Sequence, residues 1–427
     1  MSAITRQIRD GDLAPGQALP SIRRLAQLTG LSPGTCATAL RTLAQRGLIV
    51  SGQGRRSTVA ELSRLPGVSR GNAHPGLTDL SKIEPDAALL PDVAGYLTTD
   101  AYVASMYDAT NVLPELERTM RERFARDGAS GPLTITNGAL DAIERVCQAR
   151  LHPGDTVVVE DPCWSTLRTL LRVLGLDAIG VPVDDDGLDP IALAEALAGR
   201  RCAALILTPR GHNPTGASTS LPRRDALRAV LDRHPELLII EDDHLAEITP
   251  GPYPGLTAGR QHFAVIRSFS KVIGPDLRVA ACCMDPDTTD QVQMRQLLGP
   301  GWVSHVLQRI VARVLTDPVS LDRIDRAAAV YRERRDLLID ALAGADIAAR
   351  GASGFTVFVP VAEEAEVTMG LAQRGWAVQA GGPYRFASEP FIRVCVSTLP
   401  PTEILRFARD LIAVLGPASR AALRTRR

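Results

Sequence analysis

Lysine is almost absent from this sequence. Only Lys82 and Lys271 occur, so 46 of the 48 basic residues are arginine. A compositional bias toward arginine accounts for the shortage. Arginine stays protonated and cannot form an imine, whereas a desolvated lysine can. A lysine that survives the bias is therefore a candidate for chemistry that arginine cannot perform.

Three other features are missing from the chain. No run reaches the roughly 18 consecutive apolar residues that a membrane span requires. The first residues do not show the basic segment and apolar block of a signal peptide. The seven cysteines are scattered, without CxxC spacing or a paired histidine cluster, so neither a metal site nor a disulfide framework is expected. We expect a cytoplasmic protein with no membrane association and no metal.

Charge is distributed unevenly along the 427 residues. The composition is 45% apolar and 22% charged, which is enough for a sizeable core. The formal net charge is zero, but residues 1–60 contain eight arginines and only two acidic residues. A small basic head on a larger acidic body predicts that the head binds a polyanion.

The basic head has the pattern of a winged helix-turn-helix. Three short helices are predicted, the second capped by Ser21 and the third capped by Ser32 and running to about Gln45. Apolar runs flank a Gly- and Arg-rich tip at residues 52–56, which predicts a β-ribbon, or wing. Such a domain places its third helix in the major groove of DNA while basic residues hold phosphates. The predicted DNA-binding residues are Arg23, Arg24, Ser32, Thr35, Arg41, Arg55 and Arg56.

Short motifs add a family resemblance to this head. They are PG at 15–16, LPSIR at 19–23, LS at 31–32 and GL at 47–48. Through them residues 1–60 resemble the GntR-type winged-helix domain, which implies binding to double-stranded operator DNA. The alternative is a small helical cap that packs on the body; the ribbon and the positive charge favour DNA binding.

A linker and a body follow the head. Residues 61–77 contain five Pro and Gly residues and no apolar periodicity, which predicts a flexible linker. In residues 78–427, short apolar runs that end in polar residues alternate with helical patterns. This order predicts an α/β body with buried parallel strands, and ligands in such sheets bind beyond the carboxyl ends of the strands. No glycine-rich dinucleotide or triphosphate loop occurs in the right context.

Polar sequences after the predicted strands form the candidate site. Arg278 lies seven residues after Lys271, and Gly138 begins a predicted helix. A lysine can form an imine with an aldehyde cofactor, an acid can keep a pyridine nitrogen protonated, and a helix N-terminus with hydroxyls and an arginine can hold a phosphate. The sequences after the strands are DPCW at 161–164, TPRGHNPTG at 208–216, EDDH at 241–244 and SFSK at 268–271.

With these motifs, residues 78–415 resemble the fold-type I pyridoxal-phosphate proteins of the aminotransferase class I/II family. The resemblance implies an α/β fold with a mainly parallel sheet, a smaller C-terminal α+β part, and pyridoxal 5′-phosphate as the cofactor. It implies that Lys271 forms the Schiff base, that Asp242 pairs with the pyridine nitrogen and that Asn213 hydrogen-bonds ring O3′. The phosphate ligands would be Gly138, Ala139, Ser268, Ser270 and Arg278.

Four further residues take roles from the same resemblance. Trp164 would stack on the cofactor ring, and Tyr107 would reach the phosphate of the partner subunit. Arg393 would bind a substrate carboxylate. His244 stands where many members of the family place a tyrosine that hydrogen-bonds O3′; an imidazole can donate that bond, but it titrates near neutrality. On the residues alone, a tryptophan such as Trp164 is more often a core residue, and Arg393 can equally be a surface strand residue.

A GntR-type head, a linker and an aminotransferase-like body in this order resemble the MocR family of bacterial transcription regulators. The sequences ALDAIER at 139–145, EDDH at 241–244 and GPGWVSH at 299–305 are most similar to its PtsJ-type branch. The resemblance implies a homodimeric transcriptional regulator that senses pyridoxal phosphate or an amino compound through an aldimine at Lys271. One alternative is an active aminotransferase with a regulatory or vestigial head. Another is a pyridoxal-phosphate enzyme of a different class, such as a lyase or an oxidase, because fold alone does not decide function.

Overall fold

The computed structural model describes most of the chain. Two parts of the sequence analysis fall outside the described residues: the wing tip with Arg55, and residues 61–75 of the predicted linker. Among the helices within the described ranges, none is long and apolar enough to cross a membrane. The described ranges are 2–10, 12–45, 48–50, 56–59, 76–97, 106–107, 110–249 and 251–424.

The head folds as the predicted helix-turn-helix with a ribbon. Ser21 Oγ accepts a hydrogen bond from the Arg24 N–H, and Ser32 Oγ accepts one from the Thr35 N–H, so both predicted N-caps are confirmed. Leu25 and Leu43 belong to a small apolar core that joins the helices to the ribbon. The elements are α1 (Ser2–Asp10), α2 (Ile22–Thr29), α3 (Pro33–Gln45) and the antiparallel pair β1 (Ile49–Val50) and β2 (Thr58–Val59).

The body begins with a two-residue strand, β3 (Thr78–Asp79), and is built on an eight-stranded sheet. The strands of the sheet are β4 (Leu133–Thr136), β5 (Thr156–Asp161), β6 (Asp177–Asp184), β7 (Gly187–Leu188), β8 (Ala204–Leu207), β9 (Leu238–Asp242), β10 (Phe263–Ser268) and β11 (Ala280–Met284). Their order is β4-β11-β10-β9-β8-β5-β6-β7. Pairing is parallel from β10 to β6, and β11 and β7 run antiparallel to their neighbours. The predicted mainly parallel sheet is confirmed.

Helices cover both faces of this sheet. Successive residues of β5 alternate between two apolar clusters: Val157 and Val159 pack on one face, and Val158 packs on the other. Strands buried on both faces read as continuous apolar runs, which is why the sequence revealed them. The helices are α4 (Pro114–Arg126), α5 (Ala139–Arg150), α6 (Ser165–Val173), α7 (Pro190–Gly199), α8 (Leu221–Leu231), α9 (Pro286–Leu297) and α10 (His305–Val314).

The C-terminal part is the smaller α+β unit that was expected. Three strands pair antiparallel in the order β12-β15-β14, and β13 pairs in parallel with β3 at the start of the body. Leu80, next to β3, is buried in the apolar core of this part. The elements are α11 (Pro318–Ala343), β12 (Thr356–Pro360), α12 (Glu364–Ala372), β13 (Trp376–Ala377), β14 (Gln379–Ala380), β15 (Phe391–Cys395) and α13 (Pro401–Arg424).

Candidate cofactor site and DNA-binding head

The carboxyl ends of the parallel strands bring the predicted cofactor residues to one edge of the sheet. Asp242 ends β9, and Lys271 follows the end of β10. Asn213 lies in the loop after β8, and Trp164 follows β5. Parallel neighbouring strands end on the same side, so the topology gathers side chains that lie far apart in the sequence.

Lys271 is partly buried and faces the start of the body. Its Nζ donates a hydrogen bond to the main-chain oxygen of Ile83. Burial lowers the pKa of Lys271, and the positive charges of Arg393 and Arg278 act in the same direction. A lowered pKa increases the fraction of neutral amine, which is the form that attacks a carbonyl carbon.

Asp242 presents a buried carboxylate that lacks a full set of partners. The residue is 6% exposed, and its Oδ1 is buried without a hydrogen-bond partner among the described residues. Its Oδ2 lies 3.8 Å from His244 Nδ1. Burial raises the pKa of Asp242, while His244 and Lys271 act to lower it. A buried acceptor left unpaired is costly, so a donor such as a protonated pyridine nitrogen fits this position.

A phosphate-sized cradle forms where β4 leads into α5. Gly138 has φ 95° and precedes the first helical residue, Ala139. The Arg278 guanidinium lies against Gly138 and donates to the Asn137 carbonyl oxygen over 3.3 Å. The first N–H groups of a helix have no intrahelical acceptor, so they and the guanidinium suit an anion.

Two serines at the end of β10 lie at the same edge as this cradle. Ser268 pairs with Ala280 of β11, and Ala280 pairs with Thr136 of β4, so the three strands are in register at this point. Ser268 Oγ donates to Ser270 Oγ over 3.1 Å, and both residues are buried. Ser268 therefore lies at the same edge of the sheet as the loop that carries Gly138, with β11 between them.

Arg393 is buried in the site, so its interpretation as a surface strand residue is wrong. It lies on β15 and is 3% exposed. Its Nη1 donates to Asn213 Oδ1 over 3.0 Å and to Tyr384 Oη over 2.7 Å, and its Nη2 donates to the Ser81 carbonyl oxygen. Its Nε is buried without a partner among the described residues. Tyr384 carries no recognisable motif, and sequence reasoning missed it.

Trp164 and Tyr107 differ in their surroundings. Trp164 is half-buried and packs against an apolar cluster that includes Phe358 and Phe391, so it has both a packed side and an accessible one. Tyr107 is 92% exposed. Its ring meets Trp302 edge-on, with 6.0 Å between ring centroids. Within one chain the structure does not bring Tyr107 to the other predicted cofactor residues.

Buried ion pairs surround Asp243, the residue that follows Asp242. Arg210 donates to both oxygens of Asp243 over 2.7 and 2.8 Å, and Arg267 Nε donates to Asp243 Oδ2 over 2.9 Å. Burial by itself raises the pKa of Asp243, but Arg210 and Arg267 hold it below its ordinary value. Because Asp243 directly follows Asp242, the two arginines fix the chain at the cofactor-facing carboxylate. No motif signalled this network.

A second buried pair lies behind the site. Glu160 Oε2 is 3.3 Å from His212 Nε2 and accepts the Thr208 N–H over 3.0 Å. Burial raises the pKa of Glu160 and lowers the pKa of His212 to about 3. The directions of both shifts favour a neutral pair, which removes the cost of burying two charges.

The head presents most of its predicted DNA-binding residues to solvent. Arg23 and Arg24 on α2, Arg41 on α3, and Arg56 beside β2 are all exposed. Ser32 and Thr35 are exposed as well, but their hydroxyls hydrogen-bond each other over 2.8 Å. Ser32 therefore serves the helix cap, which lowers its availability for a base contact.

The residues at the sheet edge fit pyridoxal 5′-phosphate. The unpaired Asp242 oxygen can accept a hydrogen bond from a protonated pyridine nitrogen, and the Gly138 cradle can bind a phosphate. The Lys271 amine can react with an aldehyde carbon. The molecule is thus a fold-type I pyridoxal-phosphate-binding domain joined to a winged-helix DNA-binding head.

Comparisons with known proteins agree with both parts. Residues 81–411 match the model for aminotransferase class I and II, and residues 1–59 match that for bacterial regulatory proteins of the gntR family. The chain is 38% identical, over 97% of each protein, to the vitamin B6 salvage pathway transcriptional repressor PtsJ of Salmonella typhimurium. It is 29% identical to the pyridoxine biosynthesis transcriptional regulator PdxR of Corynebacterium glutamicum, over 79% of this chain and 77% of PdxR.

A solved structure adds a third likeness. The α-aminoadipate aminotransferase LysN of Thermus thermophilus, complexed with N-(5′-phosphopyridoxyl)-L-leucine, superposes with a TM-score of 0.71 at 25% identity. The match covers 82% of this chain and 94% of LysN. The chain belongs to the aminotransferase class I and II family, and its GntR head makes it a MocR-type protein that binds pyridoxal phosphate.

Proposed function

We propose that this protein is a repressor of vitamin B6 metabolism genes whose DNA binding responds to pyridoxal phosphate. The observation that carries the proposal is the combination, in one chain, of a GntR head with a body that contains Lys271, Asp242 and Arg278, the residues proposed to bind the cofactor. The 38% identity to a vitamin B6 salvage repressor over nearly the whole length supports the choice of target genes. Since its DNA target is chromosomal, we place the protein in the cytoplasm.

In the proposed site each side chain has one task. Lys271 attaches the cofactor covalently, Asp242 pairs with the ring nitrogen, and Asn213 and His244 hydrogen-bond ring O3′. Bound cofactor supplies an electron sink beside Lys271. Trp164 stacks on the ring, and Arg393 takes the carboxylate of an amino compound. The residues proposed to hold the phosphate are Gly138, Ala139, Ser268, Ser270 and Arg278.

The head residues divide between positioning and readout. Arg23, Arg24, Arg55 and Arg56 are proposed to hold phosphates. Thr35 and Arg41 lie on α3, the proposed recognition helix. We assign residues 1–60 to the head, 61–77 to the linker and 78–427 to the body.

We further propose a homodimer in which Tyr107 completes the cofactor site of the partner subunit. Tyr107 is 92% exposed, and Leu298, four residues before its ring partner Trp302, is 90% exposed. Large exposed side chains beside this ring contact support an interaction surface there if they form one apolar patch. A tyrosine that approaches no cofactor residue of its own chain is explained if it serves the other one.

An active aminotransferase is the second candidate. The buried Arg393, held between Asn213 and Tyr384, favours it, because such an arginine suits the carboxylate of an amino acid. Repeated turnover with an amino donor and a 2-oxo acid would establish this activity. A single half-reaction without turnover would leave regulation as the function.

The experiment that tests the proposed function is a DNA titration. The probe is the DNA upstream of the protein's own gene, competed with scrambled DNA at physiological salt, with and without pyridoxal phosphate. We expect preference for the native sequence and a change of affinity with the cofactor. Equal binding to scrambled DNA under both conditions would contradict the proposal.

A further inference from the structure

Main-chain carbonyls of residues 81–84 accept hydrogen bonds from Lys271 and Arg393, the residues proposed to bind the cofactor aldehyde and a carboxylate. We call these residues the 81–84 segment. The Ile83 oxygen accepts from Lys271 Nζ, and the Ser81 oxygen accepts from Arg393 Nη2. The Glu84 oxygen accepts from Ser397 Oγ over 2.6 Å. Two of these carbonyls therefore point at the groups that would receive a cofactor and a carboxylate, and the third ties the segment to the C-terminal part.

The segment is fixed at both of its ends. Before it, the Leu80 N–H donates to the Ala377 oxygen over 2.8 Å, and Leu80 is 1% exposed. After it, Asp86 accepts from Arg334 Nη1 over 2.8 Å, and its N–H donates to Tyr331 Oη over 2.9 Å. The segment therefore lies between two hydrogen-bonded anchors, Leu80 before it and Asp86 after it.

The N-terminal anchor is also the end of the linker. β3 is only two residues long, and its Thr78 N–H donates to the Gly375 oxygen over 2.8 Å. In the sequence, the linker joins the head to this strand. The 81–84 segment is thus the part of the cofactor site nearest, along the chain, to the DNA-binding head.

Covalent attachment at Lys271 competes with the hydrogen bond to Ile83. A lysine ammonium has three N–H bonds. When it condenses with an aldehyde, two of those hydrogens leave with the carbonyl oxygen as water, a C=N bond forms, and one N–H remains. Lys271 would then have one donor where the ammonium has three, so fewer of its N–H groups would be available to the Ile83 oxygen.

We propose that the 81–84 segment is the element through which occupancy of Lys271 is transmitted to the linker and the head. With Lys271 free to donate to Ile83, the segment is tied to the end of β10. Attachment at Lys271 releases Ile83, and the segment is then held by Ser397 and Arg393 in the C-terminal part. The inference rests on the proposed function, since it concerns how cofactor binding alters DNA binding.

Hydrogen exchange on the full-length protein tests the release directly. Amide exchange in the peptide covering residues 81–86 is compared without cofactor, with pyridoxal phosphate, and after borohydride reduction of the complex. We expect exchange there to change by at least about threefold on cofactor addition, and to be unchanged in Lys271→Ala. Unaltered exchange in the wild-type protein, with visible absorbance proving attachment, would overturn the inference.

A variant tests the transmission. Ser397→Ala removes the hydrogen bond to Glu84 from a residue outside the cofactor-binding set. We compare the DNA dissociation constants with and without cofactor, and we expect their ratio to be closer to one in the variant than in the wild type. The change should be on the order of fivefold, because that is the effect of losing one hydrogen bond. Ser353→Ala is the matched control, because it also removes one hydroxyl contact of a buried serine, here to Ser218; its ratio should equal the wild-type ratio.

The outcomes separate this inference from the proposed function. If the cofactor changes the DNA affinity of the wild-type protein but Ser397→Ala responds identically, the segment does not transmit and the proposed function stands. If the DNA affinity of the wild-type protein ignores the cofactor, the proposed function fails and the inference fails with it.

Discussion

Gly138 and Arg278 occupy adjoining space so closely that a Cβ on residue 138 would lie 2.6 Å from Arg278 Nη2. Both residues also have positive φ, 95° for Gly138 and 49° for Arg278. A non-glycine residue in the left-handed region is uncommon and tends to persist where the surroundings require it. The close contact explains why a glycine directly precedes α5: any larger residue would push away the guanidinium proposed to hold the phosphate.

Gly138→Ala is therefore expected to weaken pyridoxal phosphate binding by about tenfold or more. The left-handed backbone costs an alanine about 1–2 kcal/mol, and the displaced guanidinium adds to that cost. Titration of the cofactor by visible absorbance measures the change. The control is Gly199→Ala, at a glycine with open space around it and no positive φ. Equal cofactor affinity in the two variants would show that Gly138 is not part of the phosphate-binding cradle.

Lys271→Ala should abolish covalent attachment of the cofactor. Because the chain has only one other lysine, the result is unusually direct: borohydride reduction followed by peptide mass spectrometry distinguishes Lys271 from Lys82 and from the N-terminal amine. Lys82 is the control, since its side chain is 41% exposed and pairs with Asp79. A Lys271→Ala protein that stays yellow and is still fixed by borohydride would show that the lysine assignment is wrong.

Glu241 makes the stability of the folded protein depend on pH. It is fully buried and accepts from Tyr253 Oη and the Leu256 N–H. Burial raises the pKa of Glu241 to about 7 from an ordinary value of 4.5. The folded state thus retains a proton that the unfolded state releases, so this contribution to stability is complete below the ordinary value and is lost as the pH rises through 7.

Glu241→Gln should remove this loss of stability at high pH, because glutamine does not ionise. We therefore expect the difference in melting temperature, variant minus wild type, to increase by a few degrees from pH 5 to pH 8. The corresponding change in the free energy of unfolding is at most about 3 kcal/mol. Calorimetry across this range measures it. Glu366→Gln, at an exposed position on α12, should show a flat difference. A difference for Glu241→Gln that does not vary with pH would refute the proposed titration.

Arg55→Ala combined with Arg56→Ala should weaken binding to all DNA sequences alike. Phosphate contacts carry no sequence information, and each one lost lowers the slope of log affinity against log salt by about one. Fluorescence anisotropy at several salt concentrations gives the slope. The control is Arg121→Ala with Arg326→Ala, which removes two exposed charges from helices of the body. An unchanged slope would show that the wing does not contact DNA phosphates.

The sequence predicted the parts of the site that consist of side chains at strand ends. Continuous apolar runs in the sequence predicted β5, β8, β9 and β10. The polar residues that follow these runs include Asp242, Asn213 and Lys271. The carbonyls of residues 81–84 could not be predicted in this way, because every residue has a carbonyl and only the fold decides where it points. Tyr384 and the Arg210–Asp243 pair were missed for a similar reason: their partners are distant in sequence.

The burial of Arg393 shows the same limit. An Ile-Arg-Val strand reads equally well as a surface strand or as one with its arginine inside. Only the contacts with Asn213 and Tyr384 distinguish the two. The buried parallel strands, in contrast, could be predicted because strands buried on both faces form continuous apolar runs.

The central claim is that the cofactor bound at Lys271 controls DNA binding by the head. The most direct test measures the dissociation constant for the operator with and without pyridoxal phosphate, in the wild-type protein and in Lys271→Ala. The account predicts that the cofactor changes the wild-type constant severalfold and leaves that of Lys271→Ala unaltered, with both proteins preferring operator over scrambled DNA. An identical response of the two proteins to the cofactor, or no response in either, would contradict it.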